Sequence, residues 1–402
     1  MWPGVLERIH EAARRGAQLV VLPEGTFPSY VLGRERFDSS ETHEAVEQCR
    51  AVCRVSGIVL VLGAARRVTD RVFNSAIVID RDGSIAGTYD KHFLWDFDRH
   101  WFTPGEELHP IRTSLGALGV MICADGRIPT IARALVERGA QLLIMPTAWV
   151  TSGRDPQALE NIQADLLARV RARENDAAFV AANKCGVELG CVAYCGKSQI
   201  IARDGAVLAM GSQHEPELIL ADLELETPAP RRSPSACDER RHAKIATPLR
   251  IAIGSIPRRR WSAEQERVVE ADAWIDPAGC SENLRENVLR ASDDEVLDPG
   301  YLAECRLAGL ELAVWKTASD PEWQVAFARA RALELRLYLT VFDTLRNRAY
   351  AIDPDGAVLC GTFDRFRIAR FQFAPGRTME TMVAPGTDVL AGLQHARAVA
   401  AR

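Results

Sequence analysis

Five consecutive residues of this chain occur twice. Asp204-Gly205-Ala206-Val207-Leu208 returns letter for letter as Asp355-Gly356-Ala357-Val358-Leu359. Upstream, Arg171-Ala172-Arg173-Glu174 before Phe179-Val180 parallels Arg331-Ala332-Leu333-Glu334 before Leu339-Thr340. Further upstream, Gly139-Ala140-Gln141-Leu142-Leu143 parallels Gly309-Leu310-Glu311-Leu312-Ala313. Three matches in one order read as duplication of a folding unit, and a chain of 402 residues has room for two domains. The composition breaks near Thr227, where Pro228, Pro230 and Pro234 interrupt a polar stretch reaching Pro248. The expected organisation is a first domain over 1–226, a linker over 227–248 and a second domain over 249–402.

Within the first unit, apolar runs alternate with helical patterns. Leu6, Ile9, Ala12 and Ala13 have helical spacing up to Gly16, and Leu19–Leu22 reads as a short buried strand running into Pro23-Glu24-Gly25. Further strands are expected at Ile58–Leu62, at Ala76–Asp80 with the Asp82-Gly83 turn of a hairpin, at Gly119–Cys123 and at Gln141–Met145. A helix is expected over 131–138. Leu159, Ile162, Leu166 and Val170 predict a second, amphipathic one. Phe179–Ala182 and Ser198–Ala202 complete a layered α/β unit with much buried sheet. Leu249–Ile253 opens the second unit as a new strand.

Composition removes several function classes. Hydrophobic residues at 47% and charged residues at 26% describe an ordinary globular chain, and a net charge of −5 without a basic stripe argues against nucleic acid as a partner. The longest apolar run, Ile58–Ala65, is far short of the ~18–20 residues of a membrane helix. Met1-Trp2-Pro3 leads straight into Glu7, Arg8 and His10 with no signal-peptide core, and the ten cysteines lack paired spacing. A cytoplasmic protein without a membrane partner is expected.

Chemistry concentrates at three strand ends. Glu24 follows Leu22-Pro23, Lys91 lies in Tyr89-Asp90-Lys91-His92-Phe93-Leu94, and Cys123 opens a turn toward a helix. Polar groups at the carboxyl ends of strands are where layered α/β proteins build sites. A carboxylate that takes a thiol proton, a thiolate that attacks a carbonyl and an ammonium that holds the oxyanion form one machine, with the backbone N–H of Ala124 as a further donor. Taken singly, each residue has an ordinary reading: a small buried hydrophobe, a helix cap, a solvated ammonium. The spacing alone does not choose between the two.

These segments do resemble a family. Leu22-Pro23-Glu24-Gly25, Tyr89-Asp90-Lys91-His92 and Ile122-Cys123-Ala124-Asp125-Gly126-Arg127-Ile128-Pro129 are similar to the three signatures of the nitrilase superfamily, the carbon–nitrogen hydrolases. Phe73-Asn74-Ser75-Ala76, Pro146-Thr147-Ala148-Trp149 and the Arg-Ala-x-Glu helix follow the same order, so the resemblance spans residues 4 to 225. It implies an αββα four-layer sandwich and a Glu24-Lys91-Cys123 triad that works without metal or organic cofactor. The Cys-x-Asp pattern resembles the amidase and N-carbamoyl amino acid amidohydrolase branches, whereas the Cys-Trp-Glu of true nitrilases is absent. Asp98 stands where members often carry a second acidic residue that positions the lysine. Arg127 matches a residue that pairs with substrate carboxylate, with bracing of the turn as the alternative. Trp149 and Tyr30 are expected to line the pocket, core packing being the alternative for Trp149.

Other constellations are thin. Cys185, Cys191 and Cys195 are irregularly spaced with no histidine beside them, and neither a His-Glu-x-x-His pattern, a P-loop nor a Gly-x-Gly-x-x-Gly run occurs. In the second unit Ala278 of Asp276-Pro277-Ala278-Gly279 stands opposite Glu24, and Asp293 opposite Cys123. Only 15 residues separate that pair (293 − 278), against 99 in the first unit (123 − 24), so the lysine-bearing segment has no counterpart. The second domain is expected to be a truncated, non-catalytic copy. Family domains usually open with a strand before the first helix, as Leu249–Ile253 opens the second unit, so the first unit is expected to lack that strand. The function expected is cysteine-dependent hydrolysis of an amide or N-carbamoyl group through a thioester, releasing ammonia. A non-catalytic scaffold and nitrile hydrolysis are the alternatives. The partners expected are a small amide-type substrate and either further copies of the chain or its own second unit as a pseudo-dimer.

Overall fold

The apolar runs at Leu19, Ile58, Leu142 and Phe179 are strands in the computed structural model, which describes residues 2–29, 39–151, 159–229, 244–364 and 367–402. The chain divides into unit 1, Met1–Pro230 with His395–Arg402, and unit 2, Arg231–Gln394. Most of the expected linker, residues 230–243, lies outside the described residues, as does Tyr30.

Unit 1 contains α1 (Trp2–Arg14), β1 (Leu19–Val21), α2 (Ser39–Ser56), β2 (Val59–Val68), β3 (Arg71–Ile79) and β4 (Ile85–Asp90). It continues with β5 (Ile111–Thr113), β6 (Gly116–Val120), α3 (Pro129–Glu137), β7 (Leu142–Thr147), α4 (Ala168–Asn175) and β8 (Ala178–Asn183). The hairpin β9 (Cys185–Glu188) and β10 (Val192–Cys195) precedes β11 (Gln199–Ile201) and β12 (Val207–Met210). One sheet has the order β1-β2-β3-β4, the other β12-β11-β8-β7-β6-β5. The buried strands β6, β7 and β8 are parallel, with Leu118 opposite Leu142 and Leu142 opposite Ala178. Strands that are apolar on both faces need cover on both. Helices α1 and α2 bury Ile9, Ala12, Val46, Cys49 and Cys53 against the first sheet, α3 and α4 pack on the second, and the two sheets meet through β1 with β8 and β2 with β7.

Helix α2 is the element that sequence reading missed. Its buried residues, Thr42, Ala45, Val46, Cys49, Val52 and Cys53, recur at helical spacing, but small and polar types make that stripe faint. Two expected boundaries also move. The strand before the nucleophile ends at Val120 rather than Cys123, and the helix expected from Leu159 starts at Gln163 with a π-turn through Leu167.

Unit 2 runs β13 (Leu249–Gly254), α5 (Ala263–Val269), β14 (Ala273–Ile275), β15 (Val288–Ala291), α6 (Asp293–Leu297), α7 (Pro299–Leu307), β16 (Leu312–Thr317) and α8 (Pro321–Leu335). Then come β17 (Tyr338–Asp343), β18 (Arg348–Ile352), β19 (Val358–Gly361), β20 (Ile368–Phe373), α9 (Pro375–Met379), β21 (Met382–Ala384), β22 (Thr387–Asp388) and α10 (Val389–Ala400), whose last residues cluster with unit 1. Its sheets have the orders β14-β13-β20 and β15-β16-β17-β18-β19. The second of these runs parallel, parallel, antiparallel, antiparallel, as β6-β7-β8-β11-β12 does in unit 1.

The sequence echoes carry matching contacts. Arg171 Nε donates to Gly126 O at 3.0 Å and its Nη1 lies 2.7 Å from Glu174; Arg331 Nε donates to Val296 O at 2.8 Å and its Nη1 lies 2.9 Å from Glu334. Arg169 Nε donates to Gly205 O and Arg329 Nε to Gly356 O. No described helix is long and apolar enough to cross a membrane.

Candidate active site

Glu24, Lys91, Asp98 and Cys123 come from four separate segments of unit 1 and meet at the ends of β1, β4 and β6. Glu24 leaves β1 through Leu22, whose N–H donates to Val61 O at 2.9 Å, and its own N–H crosses to Thr147 O of β7 at 3.3 Å. The turn presses so closely on β2 that a Cβ at Gly63 would collide with Pro23 O and come within 2.9 Å of Glu24 Cα. Only glycine fits there. Lys91 is pinned on both backbone sides: its N–H donates to Asn74 O at 2.9 Å, and its carbonyl accepts from Gly105 N at 2.8 Å.

The side chains then form one buried network. Lys91 Nζ lies 2.7 Å from Glu24 Oε1 and 2.6 Å from Asp98 Oδ2, and all three side chains are fully buried. Asn74 Nδ2 donates to the same Glu24 oxygen at 2.7 Å. Trp95 N donates to Asp98 Oδ2 at 2.9 Å, which fixes the shorter acid onto the lysine from a 3-10 turn, Asp96–His100. Burial by itself disfavours the ammonium, but the charges of Asp98 and Glu24 outweigh it and hold Lys91 well above its ordinary value. Burial raises the pKa of Glu24 despite the attraction of Lys91.

Cys123 begins the 3-10 turn Cys123–Arg127 with φ +46°, a strained conformation for a residue with a side chain. Asp125 fastens that turn to the lysine segment. Its Oδ2 accepts from Ile122 N at 2.9 Å and Tyr89 Oη at 2.8 Å, and its Oδ1 from His92 N at 3.2 Å and Phe93 N at 2.7 Å. Because Tyr89 spends its single proton on Asp125, His92 Nδ1, 3.0 Å from Tyr89 Oη, is the donor of that pair. Burial and the neighbouring His395 push His92 down to about 4, so the ring is neutral at pH 7 and serves the tyrosine. Burial and the Glu24 carboxylate push the Cys123 thiol up to about 12, while Lys91 and, to a lesser degree, Thr147 and Ala148 pull the other way.

A pocket of about 20 Å³, room for about one water molecule, adjoins the sulfur. Ala124, Arg127, Trp149, Trp95, Asn161 and Gln163 are among the residues lining it. The turn's first hydrogen bond is Asp125 N to Ile122 O, which leaves the Ala124 N–H ahead of it without an acceptor within the turn. Arg127 stacks over the Trp95 ring, 4.9 Å from its centroid, and Trp149 is 1% exposed with its backbone N–H donated to Asn183 Oδ1 at 2.7 Å. Asn74, Tyr89, His92 and Asp125 were given no role from the sequence. Asn74, Tyr89, His92 and Asp125 stood inside the quoted motifs, but their partners are remote along the chain. Among the described residues no group of three or more His, Cys, Asp or Glu side chains is arranged to hold a metal ion.

Comparison with known proteins places the chain in a family. The family model for carbon-nitrogen hydrolase matches residues 1–232. The chain is 33% identical over 223 residues to a nitrilase of Pyrococcus abyssi, covering 54% of this chain and 80% of that protein. It is 32% identical over 238 residues to the deaminated glutathione amidase of Bos taurus, covering 54% of this chain and 70% of that one. The crystal structure of a carbon-nitrogen hydrolase from Helicobacter pylori G27 superimposes with a TM-score of 0.52 at 30% identity, over 56% of this chain and 83% of that one. The chain belongs to the carbon–nitrogen hydrolases of the nitrilase superfamily.

Proposed function

We propose that unit 1 hydrolyses an amide or N-carbamoyl group through a thioester on Cys123. The observation that carries this reading is the Lys91 ammonium held between Glu24 and Asp98 beside a protonated thiol. A thiol near 12 is inert as a free nucleophile at neutral pH, so deprotonation has to accompany attack. Glu24 takes the proton as sulfur bonds to the carbonyl carbon. Lys91 and the Ala124 N–H receive the oxyanion, and Asp98 holds Lys91 charged and in place. Collapse breaks the carbon–nitrogen bond, and Glu24 returns its proton to the leaving nitrogen, which departs as ammonia. Water, deprotonated by Glu24, then attacks the thioester; the carbon–sulfur bond breaks and the thiolate recovers its proton. Arg127 on the pocket wall suits a substrate bearing a carboxylate. The Bos taurus relative, named an amidase, supports the choice of amide.

The reading extends to unit 2, taken as a truncated and non-catalytic copy. The matched strand order and the paired arginine contacts support it. Asp293, opposite the nucleophile, accepts from Trp315 Nε1 at 2.8 Å, which occupies its carboxylate in packing.

The test is ammonia release from a panel of simple amides, ureido acids and nitriles. Release from the first two groups is expected; release from nitriles alone moves the chain to the other chemistry, and release from none leaves a scaffold. The pH profile follows from Glu24. The base must be ionised, and its pKa lies above the ordinary 4.5, so kcat/KM should fall as pH drops through a midpoint higher than 4.5. Glu24→Gln should remove that acid limb together with most of the rate.

A further inference from the structure

Two of the three irregularly spaced cysteines of the β9–β10 hairpin face each other. In its antiparallel register Cys185 is the direct partner of Cys195, and both are thiols. The hydrogen bonds fix what kind of pair this is. Gly196 N donates to Lys184 O at 3.1 Å, so the pair next to the cysteines is a bonded one. Cys195 turns its own N–H away from β9, to Trp149 O at 3.0 Å, and Ala193 O accepts from Thr151 N on that same side, also at 3.0 Å. Cys185 and Cys195 are therefore a non-hydrogen-bonded pair, whose side chains leave one face of the hairpin with Cα atoms about 4.5 Å apart. A disulfide bridges Cα separations of about 4.4–6.8 Å. Cys191 does not compete. It is exposed at the turn, where its N–H donates to Glu188 O, and roughly 13 Å of strand separates that level from the Cys185–Cys195 pair.

The pair sits at a joint of the site. Cys195 Sγ lies 3.5 Å from Asn183 Nδ2, and Asn183 holds the backbone on both sides: its Oδ1 accepts from Trp149 N at 2.7 Å and its Nδ2 donates to Gly196 O at 2.6 Å. Tyr194 packs on Ala148 and Val150, so β10 backs the stretch Ala148-Trp149-Val150 that lines the pocket beside Cys123. We propose that Cys185 and Cys195 are a redox modification site: a low-molecular-weight disulfide converts them into a cross-strand disulfide that locks the base of the hairpin behind the pocket wall. The half-buried Cys185 reacts first, because Cys195 is fully buried and burial pushes its thiol up to about 12. The Cys185 thiolate attacks one sulfur of the small disulfide, whose sulfur–sulfur bond breaks and releases one thiolate. The Cys195 sulfur then attacks the mixed disulfide at Cys185, and its proton passes to the second departing thiolate. Two protein thiols have lost two electrons and two protons, and one small disulfide has become two thiols. An excess of small thiol runs both steps backwards.

The experiment incubates the full chain with oxidised glutathione at pH 8, alkylates the remaining thiols in denaturant, and cleaves after Lys184, Glu188 and Lys197. Fragments 185–188 and 189–197 should be recovered joined, with tandem mass spectrometry placing the bond at Cys195 and glutathione or the alkyl group at Cys191. Dithiothreitol should separate them. Recovery of Cys185 and Cys195 each bearing glutathione or the alkyl group overturns the proposal, as does a bond from Cys185 to Cys191. Cys191→Ser should leave the bond in place, and its loss in that variant also overturns the proposal. The lock on the wall is read by hydrogen exchange at the amides of Thr151, Cys195 and Gly196, which should be about tenfold slower in the oxidised protein. A bond that forms with unchanged exchange at all three refutes the coupling to the pocket wall.

Discussion

Cys123→Ala should lower ammonia release by on the order of 10⁴-fold or more, to the background of the assay. The sulfur is the atom that bonds to the substrate carbon in the proposed reaction, and no other described cysteine adjoins that pocket. Alanine keeps a Cβ, so the backbone at φ +46° is under the same constraint in both proteins. The folded state should therefore change little, by about 1 kcal/mol. Ammonia release, with the urea midpoint recorded beside it, separates loss of the nucleophile from loss of the fold. Retained turnover at an unchanged midpoint would remove the thioester from the mechanism.

Lys91→Met should have the second large effect, on stability and rate together. The side chain is fully buried and its ammonium faces Glu24 at 2.7 Å and Asp98 at 2.6 Å. Methionine fills similar space but leaves two buried carboxylates facing each other. Breaking a buried ion pair from one side costs about 3–5 kcal/mol. The cost should depend on pH in a defined direction. Glu24 already has a folded-state pKa above its unfolded value, and loss of Lys91 removes an interaction that lowers it. A group raised in this way is tolerated below its unfolded pKa and destabilises progressively as pH rises toward and through the folded one. Urea unfolding should show a larger deficit at pH 8 than at pH 5. Loss of the oxyanion partner should lower kcat by about 10²–10³-fold at either pH. A deficit that is the same at both pH values would mean that the carboxylates find other counter-charges.

What the sequence disclosed and what it withheld follow a physical line. Features set by near neighbours were readable: the buried runs at Leu19 and Leu142, the Asp82-Gly83 turn, and the β13 strand at Leu249. Glu24, Lys91 and Cys123 were readable only through the order of three short motifs, because nothing in a span of 99 residues states that its ends touch. Asp98 was reached by position, and the 2.6 Å contact to Lys91 gives it a partner. Asp125 was passed over because its four donors lie in two segments joined only by the fold. The end of β6 at Val120 was misplaced for a related reason. A continuous apolar spelling through Met121 and Ile122 hides the point at which Asp125 pulls the backbone into a turn.

The brace between Arg331, Glu334 and the Val296 carbonyl persists in a unit whose corresponding turn begins with an aspartate engaged by tryptophan. The joint therefore does not depend on a cysteine at the head of the turn. Its twin at Arg171 and Glu174, although it grips the turn that bears the sulfur, belongs to the carpentry of a helix against a loop. A contact that needs only an arginine, a glutamate and a backbone carbonyl is built beside either kind of turn, so the hold on the helix is separable from any chemistry at the sulfur.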